Sequence, residues 1–158
     1  LSSGETIMPP ILRIDIKKYH GESDVKAAYI NGLDSFAIKI ASGFFNNPSL
    51  GLPSSNGLMI LLDSQTGILK SVLLDQGFLT DVRTAIAGAI ASKYLSNIDI
   101  DTVGIMGAGI QAKLQLHALM LVRKTKKIKV WARDPNKVKE FVNHFKGFLI
   151  IVAIISTP

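Results

Sequence analysis

Cysteine is missing from all 158 residues, which excludes disulfides, thiolate zinc sites, iron–sulfur clusters and a cysteine nucleophile. The same lack weakly favours a reducing compartment, and a cytoplasmic location is the default expectation. Long hydrophobic runs are also missing. The longest, Phe148 to Ile155, is far short of the roughly 20 residues a membrane helix needs, so it is expected to be a buried strand and no membrane partner is expected. No low-complexity tract or fixed repeat points to a solenoid, a collagen or a coiled coil. No basic-then-apolar secretory leader is visible. The chain opens on Leu1 and ends on Pro158 directly after an apolar run, so it is expected to be a piece of a longer one.

What is present is enough apolar material, 47% of residues, to build a sizeable core. Lys and Arg, 18 in all, exceed the 12 Asp and Glu and leave a net charge of +6. The densest basic cluster is Arg123, Lys124, Lys126, Lys127 and Lys129. It reads as a helix C-terminus, where cations complement the macrodipole, followed by a solvated loop entering a strand. The competing reading is a nucleotide phosphate partner. No aromatic-studded basic strand of the single-strand-binding kind accompanies the cluster, and no nucleic acid is expected.

From Ile11 to Asp75 short apolar stretches alternate with turn signals such as Asn31-Gly32, Asn46-Asn47-Pro48 and Thr66-Gly67. Strands are expected at Ile11–Ile16, Ala27–Ile30, Ser35–Ala41, Leu58–Asp63 and Ile68–Asp75, with an antiparallel hairpin closed by Asp63 to Gly67. Thr80 stands where an N-cap belongs, and Val82 to Leu95 read as an Ala-rich helix in which Gly88 allows close approach of a neighbour. Beyond Ser96–Asp101 the pattern changes to strand Thr102–Met106, helix Ile110–Arg123, strand Ile128–Ala132, helix Asn136–Phe145 and strand Phe148–Ile155. This is a βαβαβ unit with a parallel sheet. The expected fold class is therefore α/β: a strand-rich α+β substrate and dimerisation domain over residues 1–98, then a partial Rossmann dinucleotide-binding domain over 99–158. The tight link through Lys146-Gly147 to the last strand hints at a lost or compressed segment.

Gly107-Ala108-Gly109-Ile110-Gln111-Ala112 follows the strand and opens the helix, a G-x-G-x-x-A sequence. The first glycine permits the tight turn, the second admits a pyrophosphate to the backbone, and Ala112 lets helix and strand pack closely. The alternative is an ordinary βα turn. Where an acid would hold the adenosine ribose, the chain has Ala132, then Arg133, then Asp134. An Arg there fits a ribose 2′-phosphate, so the cofactor is expected to be NAD(P), leaning to NADP(H). In the competing reading Asp134 reaches the ribose and Arg133 is a surface residue.

Lys39 stands on the strand face opposite Phe36, Ile38 and Ile40, between Ala37 and Ala41, either as a functional ammonium with room above it or as a solvent-facing lysine. Arg83 lies in the first turn of an apolar helix, the end where the macrodipole disfavours a cation. It is compensated either by Asp81 or by a bound carboxylate. Arg13, alternating with Ile14 and Ile16, is a second carboxylate ligand or a surface residue. His20, His117 and His144 show no metal-ligand spacing, and no metal is expected. His117 reads as a surface or helix-packing residue, and no nucleophile–base constellation is visible.

Lys39 with Ser42-Gly43-Phe44 and Asn47-Pro48, then Gly51-Leu52-Pro53, Asn56-Gly57, Asp63 with Thr66-Gly67, Leu79-Thr80-Asp81-Val82-Arg83-Thr84-Ala85 and the glycine sequence at 107–112 together resemble the ornithine cyclodeaminase/mu-crystallin family. The ordered set spans nearly the whole chain. The opening Pro9-Pro10-Ile11-Leu12-Arg13-Ile14-Asp15 resembles the branch linked to ectoine utilisation, itself similar to iminosuccinate reductases. The resemblance implies a homodimer acting on a small amino or imino acid. By that resemblance Arg13 and Arg83 would hold the substrate carboxylate, and Lys39 would be the catalytic residue beside the reacting nitrogen. Thr84, Gly107, Ala108, Gly109, Ile110 and Gln111 meet the cofactor, with Arg133 beside the ribose.

By the same resemblance the expected reaction is hydride transfer at Cα, either cyclodeamination or imine reduction. A neighbouring cation would make Lys39 a better proton donor near neutrality. The alternatives are a non-catalytic NADPH-binding protein of the crystallin kind and an inactive truncated product. In the family a segment precedes the position of Gly4, a longer stretch precedes the last strand, and the catalytic carboxylate lies beyond Pro158.

Overall fold

The structure is a computed structural model that describes residues 5–147 and the backbone of 150–154. It is mixed α/β and divides into two compact units, Leu1–Thr80 and Asp81–Pro158. That division falls inside a helix, ahead of the composition change at 96–101.

The first unit is a sheet of β1 (Thr6–Ile7), β2 (Leu12–Ile16), β3 (Gly21–Ile30), β4 (Ser35–Phe44), β5 (Ser55–Asp63) and β6 (Leu69–Leu73). Its order is β1-β3-β4-β5-β6, with β2 also on β3, and all the pairs are antiparallel. The expected strands are all present. β3 starts earlier than the apolar pattern indicated, because Gly21-Glu22-Ser23-Asp24 pairs along its whole length with β2 and β4. Directly opposed residues share a face, so the register sorts the side chains. Leu12, Ile14, Val25, Ile38, Ile40, Leu58 and Ile60 lie on one face, and Arg13, Asp24, Lys26 and Lys39 lie on the other. Among the described residues no apolar side chain of this unit is buried; Leu12 and Ile14 are 56% and 50% exposed.

α1 (Phe78–Leu95) begins before Thr80, which is not its N-cap. The helix is instead entered through Asp75, whose Oδ2 accepts from the Leu79 N–H at 2.7 Å after a left-handed turn at Gly77, φ +90°. Asp75 thereby satisfies a donor of the first turn, which starts two residues ahead of Thr80.

The second unit contains the rest of α1 and β7 (Thr102–Met106), α2 (Ile110–Met120), β8 (Lys127–Trp131), α3 (Pro135–His144) and β9 (Ile150–Ile154). Its sheet is parallel in the order β7-β8-β9, as the βαβαβ pattern predicts. The outer ends of the expected last strand, Phe148, Leu149 and Ile155, lie outside the described residues. The core is one face of β8 closed by α2 and α3: Leu116, Ile128, Val130, Val138, Phe141 and Phe145 are fully buried. Each such side chain contributes about 1.5–3 kcal/mol of transfer free energy. Ala85 and Ala89 of α1 pack on Ala118 of α2, and a Cβ at Gly88 would stand 3.0 Å from Gln115 Oε1, the close approach expected of that glycine.

α2 stops at Met120, short of Arg123, because Arg123 turns away. Its guanidinium donates to Asn97 O at 3.0 Å, to Ser96 Oγ at 3.1 Å and to Lys93 O, where α1 ends. The most helix-proximal member of the basic cluster is thus a C-terminal cation of α1. No helix among the described residues is long and apolar enough to cross a membrane.

The β5–β6 hairpin is held by Asp63. Its Oδ1 accepts from the Thr66 N–H at 2.9 Å, the Thr66 hydroxyl at 2.9 Å and the Gln65 N–H at 3.0 Å, and its Oδ2 lies 3.1 Å from Lys70 Nζ. The Thr66 bonds first, then Lys70 and Gln65, hold this carboxyl far below the usual carboxylate range. A depressed folded-state pKa stabilises the fold above the unfolded value of about 3.9 and loses that contribution as pH falls from there. Asp63→Asn should therefore lower the melting temperature at pH 7 and shrink the difference from the unaltered chain as pH drops toward 2. Melting curves across that range check it, and a difference independent of pH would refute the assignment.

Candidate active site

β4 alternates so that Lys39 leaves the sheet on the charged face, with Lys26 opposite it on β3 and Met59 opposite it on β5. Lys39 is half-buried, and its Nζ donates to Thr80 Oγ1 at 3.4 Å, so it is not a plain solvent-facing lysine. The approach of the segment 77–80 to this sheet depends on two glycines. A Cβ at Gly57 would meet Ile40 O at 2.7 Å and Gly77 Cα at 3.7 Å, and one at Gly77 would meet the Asn56 backbone at 3.5 Å. Bare backbones stack there, which brings Thr80 down onto Lys39.

Arg13 is on the same face as Lys39, with Asp24 between them. Its Nε donates to Asp15 at 3.0 Å, its Nη2 donates to Glu22, and its Nη1 lies 3.8 Å from Asp24. Asp24 also accepts from Lys26 Nζ at 3.0 Å, and that bond, followed by the Lys26, Arg13 and Lys39 charges, holds its carboxyl below the ordinary value. The sheet face thus carries alternating charge in which Arg13 already has carboxylate partners.

Arg83 is in the opposite situation. It is exposed, and among the described residues it makes no hydrogen bond or ion pair. Asp81, its expected partner, is occupied elsewhere: Gln111 Nε2 donates to Asp81 Oδ1 at 2.9 Å and to Asp81 O at 3.3 Å. This link joins the first turn of α1 to the first turn of α2, and it was not legible in the sequence. Thr84 follows Arg83 on α1 and is half-buried.

The glycine turn has the predicted form. Gly107 adopts φ +97°, a left-handed conformation that side-chain-bearing residues rarely take, and its N–H donates to Trp131 O on β8 at 2.7 Å. Gly109 is the N-cap of α2, with no side-chain cap and no acidic residue in the first turn. The first amides of α2, from Ile110 on, therefore lack an intrahelical or side-chain acceptor. Cβ atoms built at Gly107 and Gly109 would meet no protein atom within 4 Å. Open space, unpaired N–H donors and a helix dipole converge there, which fits the diphosphate of a dinucleotide. Gln111 is committed through its side chain to Asp81, so its backbone N–H is the group left for an anion. A crevice of 490 Å³ runs from this turn along β7, with Gly104, Met106, Gly107, Gly109, Gln111 and Gln115 on its walls.

At the end of β8, Asp134 is the N-cap of α3, its Oδ1 accepting from the Asn136 N–H at 2.9 Å. Arg133, beside it, is exposed and among the described residues has no ion pair.

The chain spans less than half the length of the relatives it matches. An uncharacterised cyclodeaminase of Sinorhizobium fredii is 58% identical over 139 residues, covering 88% of this chain and 42% of the relative. Among solved structures, the Delta(1)-pyrroline-2-carboxylate reductase of Thermococcus litoralis in complex with NADH and L-proline superposes with a TM-score of 0.91 at 30% identity, covering 99% of this chain and 49% of that one. An archaeal alanine dehydrogenase dimer with bound NAD gives 0.88 at 28%, covering 98% and 47%. Residues 1–158 match the model of the ornithine cyclodeaminase/mu-crystallin family, and the chain belongs to that family.

Proposed function

We propose that this chain carries the substrate-anchoring and diphosphate-binding part of an enzyme that moves a hydride between a nicotinamide cofactor and the Cα of a small amino or imino acid, by imine reduction or cyclodeamination. The observation that carries this reading is the start of α2 at Gly109, which has no side-chain cap, no acidic residue in its first turn and no protein atom within 4 Å of where a Cβ would stand. Family membership and the NAD(H)-bound neighbours support the same assignment. The backbone of Gly107, Ala108, Gly109, Ile110 and Gln111 would hold the diphosphate, with Thr84 beside it. When bound, the nicotinamide supplies or accepts the hydride.

The chain's own side chains do the rest. Lys39 holds or moves a proton at the substrate nitrogen, with Thr80 fixing its ammonium. Arg83 holds the substrate carboxylate, since its charge at a helix N-terminus is uncompensated. Arg13 is the second, weaker anchor, because a substrate must compete there with Asp15 and Glu22. In the intact enzyme Lys39→Ala should lower kcat roughly 10²–10⁴-fold. Arg83→Gln should raise KM more than Arg13→Gln. Gly109→Val, which fills the open space, should weaken NADH and NADPH binding alike, by tenfold or more, if it displaces one charge-assisted bond of about 1.5–3 kcal/mol. Steady-state kinetics and nucleotide fluorescence titrations check these outcomes. Full turnover in Lys39→Ala would overturn the chemistry, and unchanged nucleotide affinity in Gly109→Val would overturn the site.

We assign the cofactor as NADP(H). Asp134 is engaged as a helix cap, and the unpaired Arg133 matches a ribose 2′-phosphate. Arg133→Ala should weaken NADPH and leave NADH nearly unaffected, as measured by their two dissociation constants. Equal loss for both would remove the assignment.

We further propose that a second copy of the chain covers the apolar face of the β1–β6 sheet. A sheet needs a second layer, Leu12 and Ile14 are exposed on that face, and the alanine dehydrogenase neighbour is a dimer. Light scattering should give a dimer mass that Ile14→Asp shifts toward the monomer. A dimer indifferent to that charge would place the interface elsewhere.

A further inference from the structure

The far end of α2 carries a feature that hydride chemistry does not use. His117, in the last turn of α2, and His144, the last residue of α3, come together although 27 positions separate them in sequence. Their Nε2 atoms are 3.2 Å apart, and both residues are exposed. Phe145, fully buried, packs against both rings, with centroids 4.7 Å from His117 and 4.8 Å from His144, and the two imidazoles meet edge to face at 5.4 Å. The rings are therefore fixed by core packing and present their Nε2 atoms to solvent side by side.

That spacing has a chemical meaning. A metal ion bonds to imidazole nitrogen at about 2.0–2.1 Å. Two nitrogens on one ion then lie roughly 2.9 Å apart at an octahedral right angle and 3.4 Å apart at a tetrahedral angle. The observed separation falls inside that interval. Both histidines sit at helix C-termini, where macrodipoles favour positive charge.

We propose that His117 and His144 form a two-histidine site for a late first-row divalent cation, distinct from the glycine turn at the opposite end of α2. No group of three or more His, Cys, Asp or Glu able to hold a metal occurs among the described residues, so water completes the coordination. Nitrogen ligation without carboxylates selects Cu²⁺, Ni²⁺ and Zn²⁺ over Mg²⁺ and Ca²⁺, with Cu²⁺ bound most tightly. The ion bridges α2 and α3 directly over Phe145 and so clamps the Rossmann core.

The test uses the full chain without a histidine tag, stripped with chelator and titrated with CuSO₄, ZnSO₄ and MgSO₄. Calorimetry should show one equivalent of Cu²⁺ and of Zn²⁺ bound and no Mg²⁺, and both bound ions should raise the melting temperature. The Cu²⁺ paramagnetic resonance spectrum should carry the coupling of two imidazole nitrogens. His117→Gln and His144→Gln, which keep a ring-sized polar side chain beside Phe145, should each lose one nitrogen coupling and weaken Zn²⁺ at least as much as the loss of a supporting ligand contact does, roughly 10–100-fold. His20→Gln should change nothing. Zn²⁺ binding that survives either glutamine variant, or that disappears with His20→Gln, overturns the proposal, as does an unaltered chain that binds neither Cu²⁺ nor Zn²⁺.

Discussion

At Gly107 the chain has to leave β7 and enter α2 at once, and the turn that achieves this sets the geometry of everything around it. The backbone adopts φ +97° and is locked by the bond from its N–H to Trp131 O on the adjacent strand. Parallel pairing of β7 and β8 is therefore fixed at the same place where the helix starts. A side chain at 107 would strain the turn, and a capping side chain at 109 would take the amide groups that the turn exposes. The site is thus defined by what the sequence withholds: no cap, no first-turn acid and no Cβ over the first amides.

The link between Gln111 and Asp81 extends that logic to α1. In a helix, residues two apart point to different sides, so Asp81 and Arg83 are poorly placed to pair. A neutral amide from α2 satisfies Asp81 instead, and this has two effects. The two helix starts are tied together without adding charge, and Arg83 keeps an uncompensated cation at the unfavourable end of a helix dipole. Arg13 illustrates the contrast, since its three acidic neighbours already neutralise it.

Local chemistry was legible where it was written locally. The glycine turn, the parallel βαβαβ order, the Asp63–Gly67 hairpin and the two-faced character of β4 all follow from adjacent residues and come out as read. The misses differ in cause, since some deciding partners are distant in sequence and others are near. The start of β3 looked like a loop because Glu22, Ser23 and Asp24 are polar. The Asn31-Gly32 turn nevertheless fixes the β3–β4 register, and counting outward from it pairs Lys39 with Lys26 and Ala41 with Asp24. That signal was available in the sequence. Thr80 was read as a cap because it precedes an apolar helix, whereas the helix begins earlier, with Asp75 accepting from the Leu79 N–H. No spacing rule brings His117 to His144, because only the packing of two helices on Phe145 does so.

The β1–β6 sheet has to serve two purposes with a single set of strands, and the alternation of β4 separates them. Phe36, Ile38 and Ile40 point to the apolar face and Lys39 to the charged one, so a slip of one residue would exchange the two. The fold guards against that slip at Gly57. A Cβ there would meet Ile40 O at 2.7 Å, and one at Gly77 would meet the Asn56 backbone at 3.5 Å, so the segment that leads to Thr80 lies close on this strand only with both side chains missing. The register of the sheet and the height of Thr80 above Lys39 are therefore set by the same contact. The apolar alignment on one face and the placement of the ammonium on the other are two consequences of one backbone arrangement, and a change that disturbs either reaches the other through Gly57.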